Sequence, residues 1–369
     1  MPKYGVVAKL VWDGTDAVRI PSDMGVPASN QMKGTAIERL SEVAGRTCYD
    51  SLGKGRSSEE YHKHILEVKH LSVYGHGAVT VQIQSDNIVS LMAFLNRPGV
   101  WVDVADDGRS YRVTVNPRAL LDWKYWTSFY TNITQRRLAH WAQRVLMIRV
   151  AELCPMILGV YKDESELFER GARECSEIVE PESDEEKWIS LFLAGSRGFS
   201  HEMVRHGFRS GISQRSTRFV DENESPWLDH PVIQEYLAES GQDQSNTWDS
   251  RIRSFKLISQ ELYKDLVSLL QPWLVGRGVD KFSARKQARG AARGYLGNAL
   301  VTELVFSASV AQWKRILRQR CVGPADAEIR AVAVAALPEL QGSRYGNCFK
   351  NFSLVSSEDG IGQSAVEVQ

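Results

Sequence analysis

An apolar run of strand length, Trp188–Leu193 (WISLFL), leads within a few residues into Ser196–Phe219, SRGFSHEMVRHGFRSGISQRSTRF. This junction constrains the fold more than any other stretch. A run that apolar belongs inside a sheet, and the polar, glycine-punctuated segment after it must then sit at the sheet's end. Arg197, Arg205, Arg209, Arg215 and Arg218 alternate there with Ser210, Ser213, Ser216, Thr217 and three glycines. Arginine is always charged and presents a planar donor fork, so several of them beside hydroxyls and free backbone N–H groups suit a phosphate and the carbonyls of a heterocycle. The competing reading is a solvated basic surface.

The whole chain sets limits on that reading. Its 369 residues suffice for two domains, or for one domain with a large insertion. Lys+Arg and Asp+Glu balance at 45 each, so no global charge favours nucleic acid or an anionic membrane, and any anion site is local. Cys48, Cys154, Cys175, Cys321 and Cys348 are odd in number and form no CxxC pair, which argues for a reducing compartment and against a disulfide framework or a zinc cluster. The first residues, MPKYGVVAKLVWDG, lack the apolar core of a signal peptide, and Ala331–Leu337 is too short to span a bilayer. A soluble, cytoplasmic protein is expected.

Along the chain, residues 35–48 and 58–70 read as helices, and residues 78–85 (AVTVQIQS) alternate as a half-buried strand. From Asp86 to Lys187 the pattern changes. Val89–Leu95 is apolar, Pro98–Arg109 loop-like, Tyr111–Val115 alternating, Trp123–Val150 helical and aromatic-rich, and Pro181–Lys187 an acidic linker. His140 and Cys154 in this region read as packing residues. After Phe219, residues 221–250 are acidic and turn-rich, and helices are predicted over 252–270, 284–296, 298–320 and 325–337. Residues 353–369 are polar and expected to fray. No internal repeat is visible in the residues.

Several chemistries leave no trace. There is no GxxxxGKS/T loop, no GxGxxG after a strand, no HExxH and no GxSxG. His62 and His64 read as a solvated helix face. Three basic clusters remain: Arg205–Arg218, Arg285–Arg293 and Lys314–Arg320. Glu202, Arg205 and Arg209 would share a helix face if a helix begun at Ser196 ran through Gly207. Arg293 and Arg320 could converge on the same anion, and surface salt bridging fits the spacing equally well.

Four blocks in order carry a resemblance. Ala44–Tyr49 (AGRTCY), His70–Ile83 (HLSVYGHGAVTVQI), Ser196–His206 with Ser213–Phe219 (SRGFSHEMVRH…SQRSTRF) and Ala292–Arg330 resemble the flavin-dependent thymidylate synthases. The third block resembles the family signature RHRxxS with its extension SQxSxRY. The resemblance covers about a third of the chain. It implies an α+β fold, a mixed sheet flanked by helices, with residues 1–85 and 188–352 forming the catalytic domain, 86–187 an insertion or lid, and 353–369 a polar tail. It implies reductive methylation of dUMP at C5 with FAD, NADPH and 5,10-methylenetetrahydrofolate, in a homotetramer whose sites lie between subunits. No nucleic-acid or membrane partner and no metal are implied.

The implied roles fall on particular residues. Glu202, Arg205, Ser216, Thr217, Arg218, Arg293 and Arg320 would bind the uridylate, with Arg205, Ser216 and Arg218 nearest the chemistry. Cys48, His76, Arg205, His206, Arg209, Ser213, Gln214, Ser309 and Arg315 would reach the flavin. The chain departs from the family at Gly207, where the signature has arginine and Arg209 follows two places later. It departs again at Gly75, where glutamate is common, and in the length of 86–187. The same chemistry on UMP, as in nucleoside-antibiotic pathways, and a nucleic-acid-binding module using the same arginines are the alternatives.

Overall fold

A computed structural model describes residues 5–20, 32–53, 55–85, 99–104, 109–122, 133–159 and 165–368. In chain order the first half carries β1 (Val7–Trp12), α1 (Ala36–Tyr49), α2 (Ser58–Glu67), β2 (Val79–Gln84), β3 (Val100–Val104), β4 (Ser110–Val115), α3 (Pro117–Leu121), α4 (Ile133–Leu153), α5 (Pro155–Leu158), α6 (Glu166–Glu174) and β5 (Ser176–Ile178). The second half carries β6 (Trp188–Ser196), α7 (Arg197–Met203), β7 (Gly211–Gln214), α8 (Pro231–Glu239), α9 (Gln242–Gly276), α10 (Lys281–Ala292), β8 (Val301–Ser309), α11 (Val310–Arg320), α12 (Ala327–Gln341), β9 (Phe352–Ser356) and β10 (Gln363–Glu367).

Two four-stranded sheets organise these elements, in the orders β1-β6-β8-β7 and β3-β4-β2-β5, with β9 and β10 forming a separate hairpin. Every strand pair is antiparallel, where a mixed sheet was expected. The α+β class stands. The second sheet crosses the expected boundary at residue 85, because β2 lies before it and β3, β4 and β5 after it. Residues 86–98, 105–108 and 123–132, in which part of the expected insertion falls, lie outside the described residues.

β6 is central because its side chains are apolar on both faces. Ile189, Leu191 and Leu193 face a core shared with α7, α11 and α12, and Trp188 and Phe192 face one shared with α1 and the second sheet. α1 starts with a reciprocal cap, Thr35 with Glu38, and buries Leu40, Val43 and Ala44 between the sheets. It fills the space that links the two sheets.

Several expectations are corrected. Residues 301–309 are a strand, not part of a helix over 298–320. The spacing of Leu300, Leu304 and Ala308 suits either form, but the run Leu304–Ala308 is buried on both faces between β6 and β7. The turn-rich reading of 221–250 gives way to α8 and to the first turns of α9, which runs 35 residues. The tail folds into β9 and β10, anchored where Ala365 N donates to the Cys321 carbonyl and where buried Arg330 meets Asp359 at 2.6 Å and the Gly323 carbonyl. His62 is buried, not solvated, whereas Cys154 is buried as expected and His140 is exposed.

Among the described residues, no helix is long and apolar enough to cross a membrane. The contact between α1 and α2 depends on Gly45, where an added Cβ would stand 1.8 Å from the Tyr61 hydroxyl and 3.1 Å from Val73. Gly45→Ala is therefore expected to lose about 1–3 kcal/mol in urea denaturation. Unchanged stability would show that the contact is loose.

Candidate functional site

The segment after β6 folds in three steps. Ser196 caps α7 by accepting from Phe199 N at 3.2 Å, and its own N–H and hydroxyl are held by buried Glu328. α7 stops at Met203, a 3-10 turn covers Val204–His206, and Arg209 then takes a left-handed φ of 57°. The regular helix needed to align Glu202, Arg205 and Arg209 is therefore broken. Arg209 turns to the second sheet, its guanidinium carbon 4.6 Å from the centre of the Trp101 ring.

Two clusters result. In the first, Arg320 at the end of α11 donates from Nη1 to Glu202 at 2.8 Å and from Nε to His206 Nε2 at 2.9 Å. His206 is thus an acceptor at Nε2. Burial, with the nearby charges of Arg320 and Arg315, holds its pKa down at about 4, so the ring is neutral near pH 7. Arg205 and Arg315 are exposed beside it.

The second cluster surrounds a cavity of about 650 Å³ between α1, α2, α10 and the turn at Arg218. Its lining holds Arg46, Arg56, Lys69, Arg218 and Lys286, with His64, His70 and the rings of Tyr49, Tyr61, Phe219 and Phe282, and among the described residues no carboxylate. Tyr49 meets Phe219 edge-on at 4.8 Å, and its hydroxyl bonds His70 Nδ1 at 2.8 Å. Lys286 Nζ lies 5.0 Å from the Phe219 ring centre. Next to Tyr49, Ser216 N donates to the Cys48 carbonyl and Cys48 Sγ donates to the Gln214 carbonyl at 2.9 Å, which ties α1 to the Arg-rich turn. Burial pushes the Cys48 thiol up to about 11 against the pull of Arg218, so it is protonated and inert as a nucleophile. Arg293 reaches Thr217 Oγ1 at 3.4 Å.

Other expected residues are engaged inside the fold. His76 is fully buried, with Nδ1 at 2.7 Å from Ser307 Oγ and Nε2 at 2.9 Å from Ser213 Oγ. The Gln214 amide donates to Ser200 and Thr302. Ser309 caps α11 and donates to Glu185. In the single chain His76 and Ser213 therefore bind one another across the core and do not line the cavity.

A comparison with known proteins bears on both clusters. Residues 186–343 match the family described as thymidylate synthase complementing protein. Flavin-dependent thymidylate synthases align with this chain at 34% identity over 176 residues (Corynebacterium efficiens), 30% over 173 (Mycolicibacterium gilvum) and 32% over 182 (Mycobacterium avium). The aligned stretch covers 46–47% of this chain and 64% of each relative, so it spans less than two thirds of their length.

Glu202, Arg205, His206, Arg209, Ser213–Arg218, Arg293, Ser309, Arg315 and Arg320 lie within the family segment, and Cys48 and His76 lie before it. The sequence reading missed Tyr49, His70, Phe219 and Lys286 as cavity residues. The signal was present for each: the first two stand in the AGRTCY and HLSVYGHG blocks, Phe219 closes SQRSTRF, and Lys286 belongs to the basic run over 285–293. What the spacing lacked was the approach of α10 to α1.

His62, His76 and His206 are all held below the usual histidine value, mainly by burial, to about 4, 3 and 4. Each binds a proton more readily unfolded than folded. The stability they support is complete above the unfolded value of about 6.5 and is lost as the pH falls through the folded values. Urea denaturation is expected to show a plateau near neutrality and a decline below about pH 6.5, with a shallower decline in His76→Gln. An unchanged slope in that variant would remove His76 from the account.

Proposed function

We propose that the chain is a flavin-dependent uridylate C5-methylase, with dUMP as substrate, FAD as resident cofactor, and NADPH and 5,10-methylenetetrahydrofolate as reductant and carbon donor. The observation that carries this is the cavity whose lining is cationic and aromatic, without a carboxylate, opening at Arg218 inside the family segment. A nucleotide needs both features: cations for its phosphate and ring faces for its base. The names of the aligned relatives supply the reaction.

The residues present fit that assignment. Arg218 is exposed at the cavity mouth with its side chain beside Phe219, and Arg293 stands across Thr217, so a phosphate between them meets two guanidinium groups and the hydroxyls of Ser216 and Thr217. Glu202, fixed by Arg320, offers an acceptor for the N–H of a uracil ring, and neutral His206 leaves the guanidinium charge of Arg320 unopposed by a second cation. The flavin, when bound, supplies the hydride chemistry. The protein's part is positioning and charge stabilisation, and it uses no cysteine nucleophile, since Cys48 stays a thiol.

The two clusters are built on different elements, Glu202–His206–Arg320 on α7 and α11, and Ser216–Arg218 with Arg293 on the β7 turn and α10. This division supports sites completed by a second copy of the chain in a homo-oligomer, for which a tetramer is the reading carried by the resemblance. A site shaped for the 2′ hydrogen of dUMP would reject UMP through clash or an unpaired hydroxyl.

The test is formation of the 5-methyl product from dUMP, beside UMP, with FAD, NADPH and methylenetetrahydrofolate. Arg218→Ala is expected to raise the KM for the nucleotide roughly 10- to 100-fold, the equivalent of one charge-assisted hydrogen bond of about 1.5–3 kcal/mol. Full affinity in that variant would move the phosphate elsewhere. Absence of product with both nucleotides would overturn the proposal.

A further inference from the structure

A second cavity, of about 180 Å³, lies between the two sheets at the N-terminal end of α1. Ile37, Val79, Leu153 and Ile178 supply an apolar wall, together with the rings of Trp12 and Trp188. It stands apart from the Arg218 cavity, which meets α1 at Arg46 and Tyr49, because Ala36–Tyr49 makes about 20 Å of helix. Of its lining, only Glu186 and Trp188 fall in the matched segment 186–343. Its charge is the reverse of the other's: Asp16, Glu180 and Glu186 line it, and among the described residues no cation does.

Most of its polar groups are committed. Trp12 Nε1 donates to the Thr15 carbonyl at 2.8 Å, and Thr15 Oγ1 donates to Asp13. Thr35 Oγ1 donates to the Leu153 carbonyl, and Thr80 bonds Thr114. Glu186 holds Arg112, and Glu180 holds Arg344. Two buried groups are left. Trp188 and Tyr345 are 6% and 8% exposed, and neither the indole N–H of Trp188 nor the Tyr345 hydroxyl has a partner among the described residues. The hydroxyl lies at the wall, since a Cβ on Gly14, a lining residue, would fall 2.5 Å from it. Trp188 packs on the α1 side of β6, which is the side of the cavity. Burial raises the phenol pKa, so Tyr345 keeps its proton. An indole N–H can only donate, and a buried donor is rarely left unpaired.

We propose that this cavity is a second small-molecule site, for an uncharged planar ring bearing a carbonyl that accepts from Trp188 Nε1 and the Tyr345 hydroxyl. Each feature of the ligand follows from a feature of the wall. An apolar cavity of about 150 Å³ takes a benzene ring, so this one takes a single ring with a short substituent. The two donors require an acceptor at the inner end. The carboxylates, with no cation beside them, turn away phosphates and other anions, which excludes the uridylate and the flavin phosphates. Asp16 and Glu180 are the exposed members of the lining and would accept an N–H at the ligand's outer end. An aryl carboxamide combines the flat ring, the carbonyl and the N–H. This site goes beyond the uridylate reading and does not depend on it.

The experiment uses the full chain with benzamide as the probe, read by saturation-transfer NMR and calorimetric titration, and with benzoate and toluene as controls of similar shape. Benzamide is expected to bind best, because benzoate carries a charge that the lining repels and toluene lacks the acceptor. Tyr345→Phe and Trp188→Phe should each weaken benzamide about 2- to 10-fold, the range of one neutral hydrogen bond, and Tyr345→Phe should leave toluene within about twofold. Tyr345→Phe should also keep or raise the Tm of the ligand-free chain, because the hydroxyl it removes has no partner to lose. Excess dUMP should not displace benzamide. Binding that neither variant weakens, benzoate binding as tight as that of benzamide, or displacement by dUMP would overturn the proposal. A lower Tm in Tyr345→Phe would show the hydroxyl already satisfied, and no binding at millimolar benzamide would leave the cavity to water; either result overturns it too. None of these readings involves flavin or methyl transfer, so this site and the uridylate reading fail separately.

Discussion

A neutral imidazole sealed in the core holds the two halves of this protein in register. His76 follows the loop after α2, in the first half of the chain, yet its two ring nitrogens bond Ser213 on β7 and Ser307 on β8. Ser307 in turn bonds Ser190 on β6, so a chain of hydroxyls runs from the imidazole across three strands of the β1-β6-β8-β7 sheet. Burial without a carboxylate partner keeps the ring uncharged, and a neutral ring can serve as donor at one nitrogen and acceptor at the other. Buried polar groups so fully satisfied specify one arrangement. This one sets where α1 and the AGRTCY block stand relative to the Arg-rich turn, and hence the shape of the cavity between them.

From that registration the electrostatics follow. The carboxylates of the second half near the signature are already committed: Glu328 to the Ser196 cap, Glu202 to Arg320, and Glu222 to Ser225 and Arg215. Arg215 lies within ion-pair reach of Glu222, Glu303 and Asp50, and Arg289 is tied to Asp221 and the Phe219 carbonyl. Arg215 and Arg289 are thus structural. Arg218 and Lys286 keep their charges on the cavity side, and Arg293 stands at Thr217. A chain with no net charge can in this way concentrate positive potential at one place.

Much of this was legible in the residues, and unevenly so. β6 could be read because an apolar run of its length has few other places to go, and β2 because it alternates strictly. β8 could not, because Leu300, Leu304 and Ala308 fit a helix stripe as well as a strand buried on both faces, and only its pairing with β6 and β7 decides. The β9–β10 hairpin was hidden by its polar composition, since its anchor is the distant Arg330. At the site, Arg293 meets Thr217 at 3.4 Å and Arg218 lines the cavity. His76 and Ser213 were found in contact with each other and closed off from the surface, which no local pattern announces. Arg209 was the ambiguous residue of the signature, and its guanidinium lies on a tryptophan 108 positions earlier in the sequence.

The central claim is that the cationic, aromatic cavity and the signature turn serve a flavin and a uridine nucleotide. The visible absorption spectrum of the purified chain, recorded before and after addition of FAD and then during titration with dUMP, tests it most directly. The account predicts flavin bands that remain with the protein through gel filtration and shift on addition of the nucleotide. A chain that stays colourless after exposure to FAD would contradict it.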